Sequence, residues 1–124
     1  MSAKVVIATG IDKEAEEIRD FLNNNGISNE EIVSVQTLHG VELAWPVAAS
    51  TIRAFFISAS VEGAIALVRQ LREKGRALPL SQRVLLVAYA DSGYNSLEDV
   101  CDYSYGGSRF QPQTLSYVLR RRCK

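Results

Sequence analysis

The sequence predicts an α/β fold, a doubly wound three-layer sandwich around a five-stranded parallel sheet, and three observations predict it. Short continuous apolar runs, Val5-Val6-Ile7-Ala8, Phe55-Phe56-Ile57 and Val84-Leu85-Leu86-Val87-Ala88, read as strands buried on both faces. Amphipathic helix-period stretches separate them, so that strand and helix alternate along the chain, the pattern of right-handed crossovers in a covered parallel sheet. The length, 124 residues with 47% hydrophobic and 23% charged, suits a single domain, residues 1–124, with one core and no need of a disulfide or metal to hold it.

Taken in order, strand 1 covers residues 5–8 and ends at Thr9-Gly10. Asp12 is placed to cap the first helix. Ala15, Ile18, Phe21 and Leu22 recur at helical spacing on it, and Glu14, Glu16 and Glu17 suit the positive end of its dipole. Asn23-Asn24-Asn25-Gly26 is its stop. Strand 2 covers residues 32–35. Residues 40–49 are apolar and Ala-rich, a second helix made short or kinked by Pro46, which follows Trp45. Strand 3 covers 52–57. Ala64, Ile65, Val68 and Leu71 form the face of a third helix, closed by Gly75. Strand 4 covers 84–88. Ser96-Leu97-Glu98-Asp99 resembles a capping box opening a short fourth helix. A weak fifth strand covers 106–111, and the last helix covers 114–121 with Leu115, Val118 and Leu119 inward.

Charge narrows the function. Lys plus Arg equals Asp plus Glu, 14 against 14, which gives no global field for nucleic acid or an anionic membrane. The one local excess, Arg120-Arg121-Arg122-Cys123-Lys124, suits a helix end. The first apolar stretch is too short for a signal peptide or a membrane span, so the expectation is a cytoplasmic chain with Cys101 and Cys123 as free thiols. One histidine and two distant cysteines make no zinc site. In a doubly wound sheet, ligands sit at the carboxyl ends of the strands. Here that rim is Thr9 to Asp12, Ser58 to Ser60, Ala88 to Asp91 and Gln111-Pro112.

The segments Ile18-Arg19-Asp20-Phe21-Leu22, His39-Gly40-Val41-Glu42-Leu43-Ala44, Leu67-Val68-Arg69-Gln70-Leu71-Arg72, Val84 to Asp91 and Gly106 to Pro112, in this order and spacing, resemble the receiver domain of bacterial two-component response regulators. The resemblance covers nearly the whole chain. It implies a CheY-like fold with strand order 2-1-3-4-5. Carried over residue by residue, the magnesium-binding carboxylate pair falls on Thr9 and Gly10, the phosphoacceptor on Ser58, the phosphoryl-binding hydroxyl on Val87 and the neutralising lysine on Gln111, while Pro112 matches, with a preceding bond typically cis in the family. Ser108 falls where the family often has a switch aromatic.

The replacements remove the chemistry. Mg²⁺ takes carboxylate oxygens, which Thr9 and Gly10 lack. A serine hydroxyl needs a base before it attacks, and Gln111 cannot balance a phosphoryl charge as lysine does. A slip of a residue or two at the first loop would make Asp12 a rim carboxylate, with Glu62 approaching from the third loop, but two acids without an acceptor aspartate or a lysine would not rebuild the site. The resemblance therefore implies a degenerate pseudo-receiver with a vestigial phosphorylation pocket (Thr9, Gly10, Asp12, Ser58, Val87, Gln111, Pro112), no cofactor and no enzymatic activity. It would dock a protein partner, or a second copy of itself, through the face of the fourth helix, fifth strand and fifth helix, with Tyr94, Tyr103, Tyr105, Arg109, Phe110 and Tyr117 as the candidate surface. Control would come from partner concentration, a rim ligand or redox at a cysteine. Two rivals stand beside it. A flavodoxin-like domain would hold an anionic nucleotide or flavin on Ala8-Thr9-Gly10, with Tyr89 or Tyr94 stacked on the ring. A hydrolase would pair Ser58 with His39, but no third group orients the base.

Overall fold

The computed structural model describes residues 4–37, 39–40, 52–76, 79, 83–89, 97, 101–107 and 109–123. In chain order these give β1 (Val5–Ala8), α1 (Asp12–Asn24), a 3₁₀ turn (Asn29–Glu31), β2 (Ile32–Val35), β3 (Ala54–Ser58), α2 (Ala64–Gly75), β4 (Leu85–Tyr89), β5 (Tyr103–Tyr105) and α3 (Pro112–Arg122). The expected helices at 40–49 and 96–99 lie outside the described residues, apart from His39, Gly40 and Leu97, and so do Trp45, Pro46, Tyr94 and Ser108.

All five strands are parallel and their order is β2-β1-β3-β4-β5. Every residue of β1, β3 and β4 is buried, which is why these three read as unbroken apolar runs. The edge strands β2 and β5 are only partly buried, since each has a neighbour on one side only.

Strand alternation divides the core in two. Val5, Ile7, Phe56, Leu85 and Val87 face Ile18 and Leu22 of α1 and Leu115 and Leu119 of α3. Val6, Ala8, Phe55, Ile57, Leu86 and Ala88 face Ala64, Leu67 and Val68 of α2, with Leu97 beside them. Burying each of the larger side chains contributes about 1.5–3 kcal/mol, so the two clusters dominate the driving force for folding. No described helix is long and apolar enough to cross a membrane.

Several expectations are corrected in detail. Ile11, not Asp12, is the N-cap of α1; Asp12 is the first helical residue and its carboxylate accepts a hydrogen bond from Gln36 at 2.8 Å. Strand 3 starts at Ala54, and Ile52 is a buried residue leading into it. The largest change is β5. It occupies Tyr103–Tyr105 rather than 106–111, because Gly106 and Gly107 take φ of 87° and 71°, and two successive left-handed residues turn the chain out of the sheet. Gln111 then lies beyond that turn as the exposed N-cap residue of α3. The bond before Pro112 is trans, since no described peptide bond is cis.

Candidate functional site: a hydroxyl cradle around Glu14

The register β1–β3 sets Ala8 against Ile57, so the next residues along, Thr9 and Ser58, leave the sheet side by side. Both are buried, at 2% and 3% exposure. Their loops pack closely: a Cβ on Gly10 would lie 3.3 Å from the Ser60 carbonyl oxygen, and the Gly10 N–H donates to Ser60 Oγ at 2.9 Å. A side chain at position 10 would press on the facing loop.

Into the space between these loops comes a side chain from the first turn of α1. Glu14 is 9% exposed. Its Oε1 accepts hydrogen bonds from Thr9 Oγ1 at 2.6 Å and Ser58 Oγ at 2.7 Å, with Ser60 Oγ 3.4 Å away. The first two distances lie in the short range of hydroxyl-to-carboxylate bonds. Ser60 in turn donates its proton to Ser58 Oγ at 2.9 Å, Thr9 Oγ1 accepts the Ile11 N–H at 3.2 Å, and Ser58 Oγ accepts the Ser60 N–H at 3.2 Å. No buried polar side-chain atom is left unpartnered among the described residues.

Glu14 is the member of this site that sequence reasoning missed. The sequence placed it among three interchangeable acids, Glu14, Glu16 and Glu17, at the helix start. A signal was present: Glu14, Ile18 and Leu22 recur every fourth residue, so Glu14 extends the buried stripe of α1 by one turn. Packing of Ile18 and Leu22 against the sheet fixes the rotation of the helix and aims Glu14 at the strand ends.

The other predicted site residues fall elsewhere. Val87 is fully buried mid-strand, paired to Phe56 and Tyr103; the residue beside Ser58 on β4 is Tyr89. The resemblance therefore slips along β4, because a run of equivalent apolar residues carries no internal register mark. Tyr89 donates its hydroxyl proton to Glu17 at 2.7 Å and its ring stacks on Tyr105, 5.8 Å between centroids. It is engaged within the fold and not presented to a ligand ring. His39 is exposed, and the Ser58 proton is directed to Glu14.

The predicted interface residues divide. Tyr105 sits among Phe21, Phe56, Tyr89 and Phe110, with ring centroids between 4.8 and 6.4 Å. Burial, with Glu17 and Asp20 nearby, pushes its hydroxyl above the usual tyrosine range. Tyr103 and Phe110 are likewise half-buried against the α1–α3 core. These three help to seal the sheet edge. Arg109 is exposed. Tyr117 is 60% exposed on α3, where Arg121 donates to its hydroxyl at 2.9 Å and lies 5.7 Å over its ring. Pro112, Gln113, Ser116, Tyr117 and Arg120 line a shallow groove of about 400 Å³ beside it.

Both cysteines are free thiols whose surroundings disfavour the thiolate. Burial, with the charge of Asp102 added, pushes the Cys101 thiol up to about 12, and burial also raises Cys123.

The site fits Mg²⁺ poorly. Its one carboxylate already accepts two short hydroxyl bonds, Asp12 is engaged by Gln36, and among the described residues no three acidic, histidine or cysteine side chains converge.

No family model matches the chain, and no curated protein does. Its fold has solved counterparts. The pseudo-receiver domain of the CikA protein, determined by NMR, superposes with a TM-score of 0.66 at 12% identity over 99% of this chain and 98% of that one. A CheY-like response regulator receiver domain from Methylobacillus flagellatus superposes with a TM-score of 0.58 at 21% identity over 98% of this chain and 99% of that one. The five parallel strands in the order 2-1-3-4-5, the helices on both faces and these two superpositions agree: the chain has the CheY-like receiver fold.

Proposed function

We infer that the chain is a pseudo-receiver, a phosphorylation-independent interaction module of signal transduction. The observation that carries this reading is the strand-end site itself. Where the resemblance sets a phosphoacceptor aspartate there is a serine, and that serine gives its proton to Glu14. That carboxylate lies beside the expected position of attack and repels an incoming acyl phosphate. The reading includes no catalysis.

Without a switchable charge, surface shape and fixed charge carry the message. The outer side of α3 supports a docking role for the α3–β5 side of the molecule. It offers an exposed aromatic held by an arginine, next to a shallow groove with Arg120 on its rim. Arg109 belongs to the same proposed surface, and Tyr103, Tyr105 and Phe110 support it from beneath. A protein partner, or a second copy of the chain, is the proposed occupant.

Two measurements test this. Incubation with labelled acetyl phosphate and Mg²⁺, followed by intact-mass analysis, is expected to leave the protein unmodified; a stable magnesium-dependent adduct of one phosphoryl group would refute the reading. In-cell photocrosslinking from position 113 is expected to give adducts that disappear in a Tyr117→Ala, Arg120→Glu variant and persist in Ser58→Ala. Adducts insensitive to the α3 changes would remove the proposed face.

A further inference from the structure

We propose that the loops after β1 and β3 form a carboxylate-binding cradle, and that Glu14 is its resident ligand. The inference rests on the non-phosphorylated reading of this site and deepens it: the pocket is not merely stripped of its chemistry but filled from within.

The geometry has the parts of a small-anion receptor. Two hydroxyl groups, Thr9 Oγ1 and Ser58 Oγ, converge on one carboxylate oxygen at 2.6 and 2.7 Å. A third, Ser60 Oγ, lies at 3.4 Å from that oxygen and ties the donors together through Ser58 and the Gly10 N–H. Thr9 and Ser58 are almost fully buried, whereas Ser60 and Gly10 are exposed, so the cradle opens to solvent along one side. The backbone that carries the donors is held by contacts independent of Glu14: Thr9 N–H binds the Val35 carbonyl at 3.0 Å, and Ser58 is the last residue of β3, in register with Tyr89. A receptor held by the sheet persists when its ligand is cut away.

Glu14 is attached to this receptor by a helix that folds for other reasons, through Ile18 and Leu22. Changing Glu14 to Ala deletes a CH₂–COO⁻ unit, the size and charge of acetate, and leaves a better helix former in its place. The three hydroxyls then face one another across the vacated space with no carboxylate to accept from them. Acetate or formate restores that acceptor. The pocket of the wild-type chain, by contrast, is closed to outside anions.

The test uses the full chain. Thermal unfolding of wild type, Glu14→Ala, Glu14→Gln and Glu14→Ala with Ser58→Ala is followed in sodium acetate, formate, phosphate and chloride at matched ionic strength. The expected result is a lower Tm for Glu14→Ala, raised by acetate or formate over chloride, by roughly 5 °C at a tenfold excess over the dissociation constant. Wild type and Glu14→Gln, whose side chains fill the space, should show no acetate-specific shift, and the added Ser58→Ala change should abolish the rescue. The proposal is overturned if acetate and formate do no more than chloride, if wild type responds equally, or if phosphate alone rescues. Should Glu14→Ala be unfolded without anion, refolding by acetate reads the same equilibrium, and no refolding while Glu14→Gln is folded overturns the proposal. A phosphoryl adduct on the wild-type chain would refute the functional reading without altering this acetate equilibrium, so the two failures are distinguishable.

Discussion

Replacing Ser58 by aspartate puts back the carboxylate that a receiver would phosphorylate, and the surrounding geometry makes that replacement costly. Ser58 Oγ lies 2.7 Å from Glu14 Oε1 and donates to it. Aspartate loses that proton and sets a second negative charge beside the first in a site where residue 58 is 3% exposed. Two like charges about 4 Å apart at an effective dielectric constant of 20 repel by about 4 kcal/mol. Rotation of the new carboxylate toward the exposed Ser60 side relieves part of this, so the expected loss is about 2–4 kcal/mol at pH 7. Against the roughly 5–15 kcal/mol of an ordinary domain the variant stays folded, at a lower urea midpoint. The repulsion raises the folded-state pKa of the introduced pair above its unfolded value, so the folded state binds a proton more readily. The penalty is therefore fully present well above that raised pKa and shrinks as pH falls through it. Urea unfolding of Ser58→Asp, Ser58→Asn and wild type at pH 7.5 and 5.0 measures this: the deficit of the aspartate variant should narrow at the lower pH, and that of the uncharged asparagine variant should not. An aspartate variant as stable as wild type at pH 7.5, or a deficit independent of pH, would refute the account of Glu14 as a buried neighbour of residue 58.

Three further outcomes are expected from the same structure. Tyr105→Ala removes a half-buried ring in contact with four others and should cost about 2–3 kcal/mol in chemical denaturation; a loss below 1 kcal/mol would show that the cluster is not packed as described. Lys4 bridges Glu31 at 2.8 Å and the Cys123 carbonyl at 3.0 Å, and the Glu31 carboxyl is held below its usual value of 4.5 first by its bond to Lys4 and then by the Ser28 backbone. Its folded pKa is the lower one, so this contribution is present above about 4.5 and is lost as pH falls through the depressed value; Lys4→Met should flatten the acid limb of the stability–pH curve there. Both cysteines should react slowly with a disulfide reagent at pH 8 and quickly in urea, because burial disfavours their thiolates; rapid native labelling of Cys101 would contradict its described packing.

The fold was legible in the sequence because its signals are local. β1, β3 and β4 are apolar at every position since helices cover both faces, and α1 and α2 carry their inner residues at helical spacing. The replacements at the expected acceptor positions were legible too, for a serine at position 58 and a glycine at position 10 lack ionised oxygen wherever the chain places them. Residues whose meaning depends on a neighbour distant in sequence were not legible. The shift of β5 to Tyr103–Tyr105 turned on the backbone angles of Gly106 and Gly107, and the slip from Val87 to Tyr89 turned on a strand register that apolar residues do not record.

Sequence alone thus determined that strand and helix alternate, where β1, β3, β4, α1 and α2 lie, and that Thr9-Gly10 and Ser58 sit on the rim at the strand ends, because periodicity is a property of the chain. Only the tertiary structure decided that one of several equivalent glutamates closes that rim. The rotation of α1, set by Ile18 and Leu22 against the sheet, and the parallel register that brings Thr9 beside Ser58 place three hydroxyls around a single carboxylate, and both are consequences of packing between segments far apart in sequence.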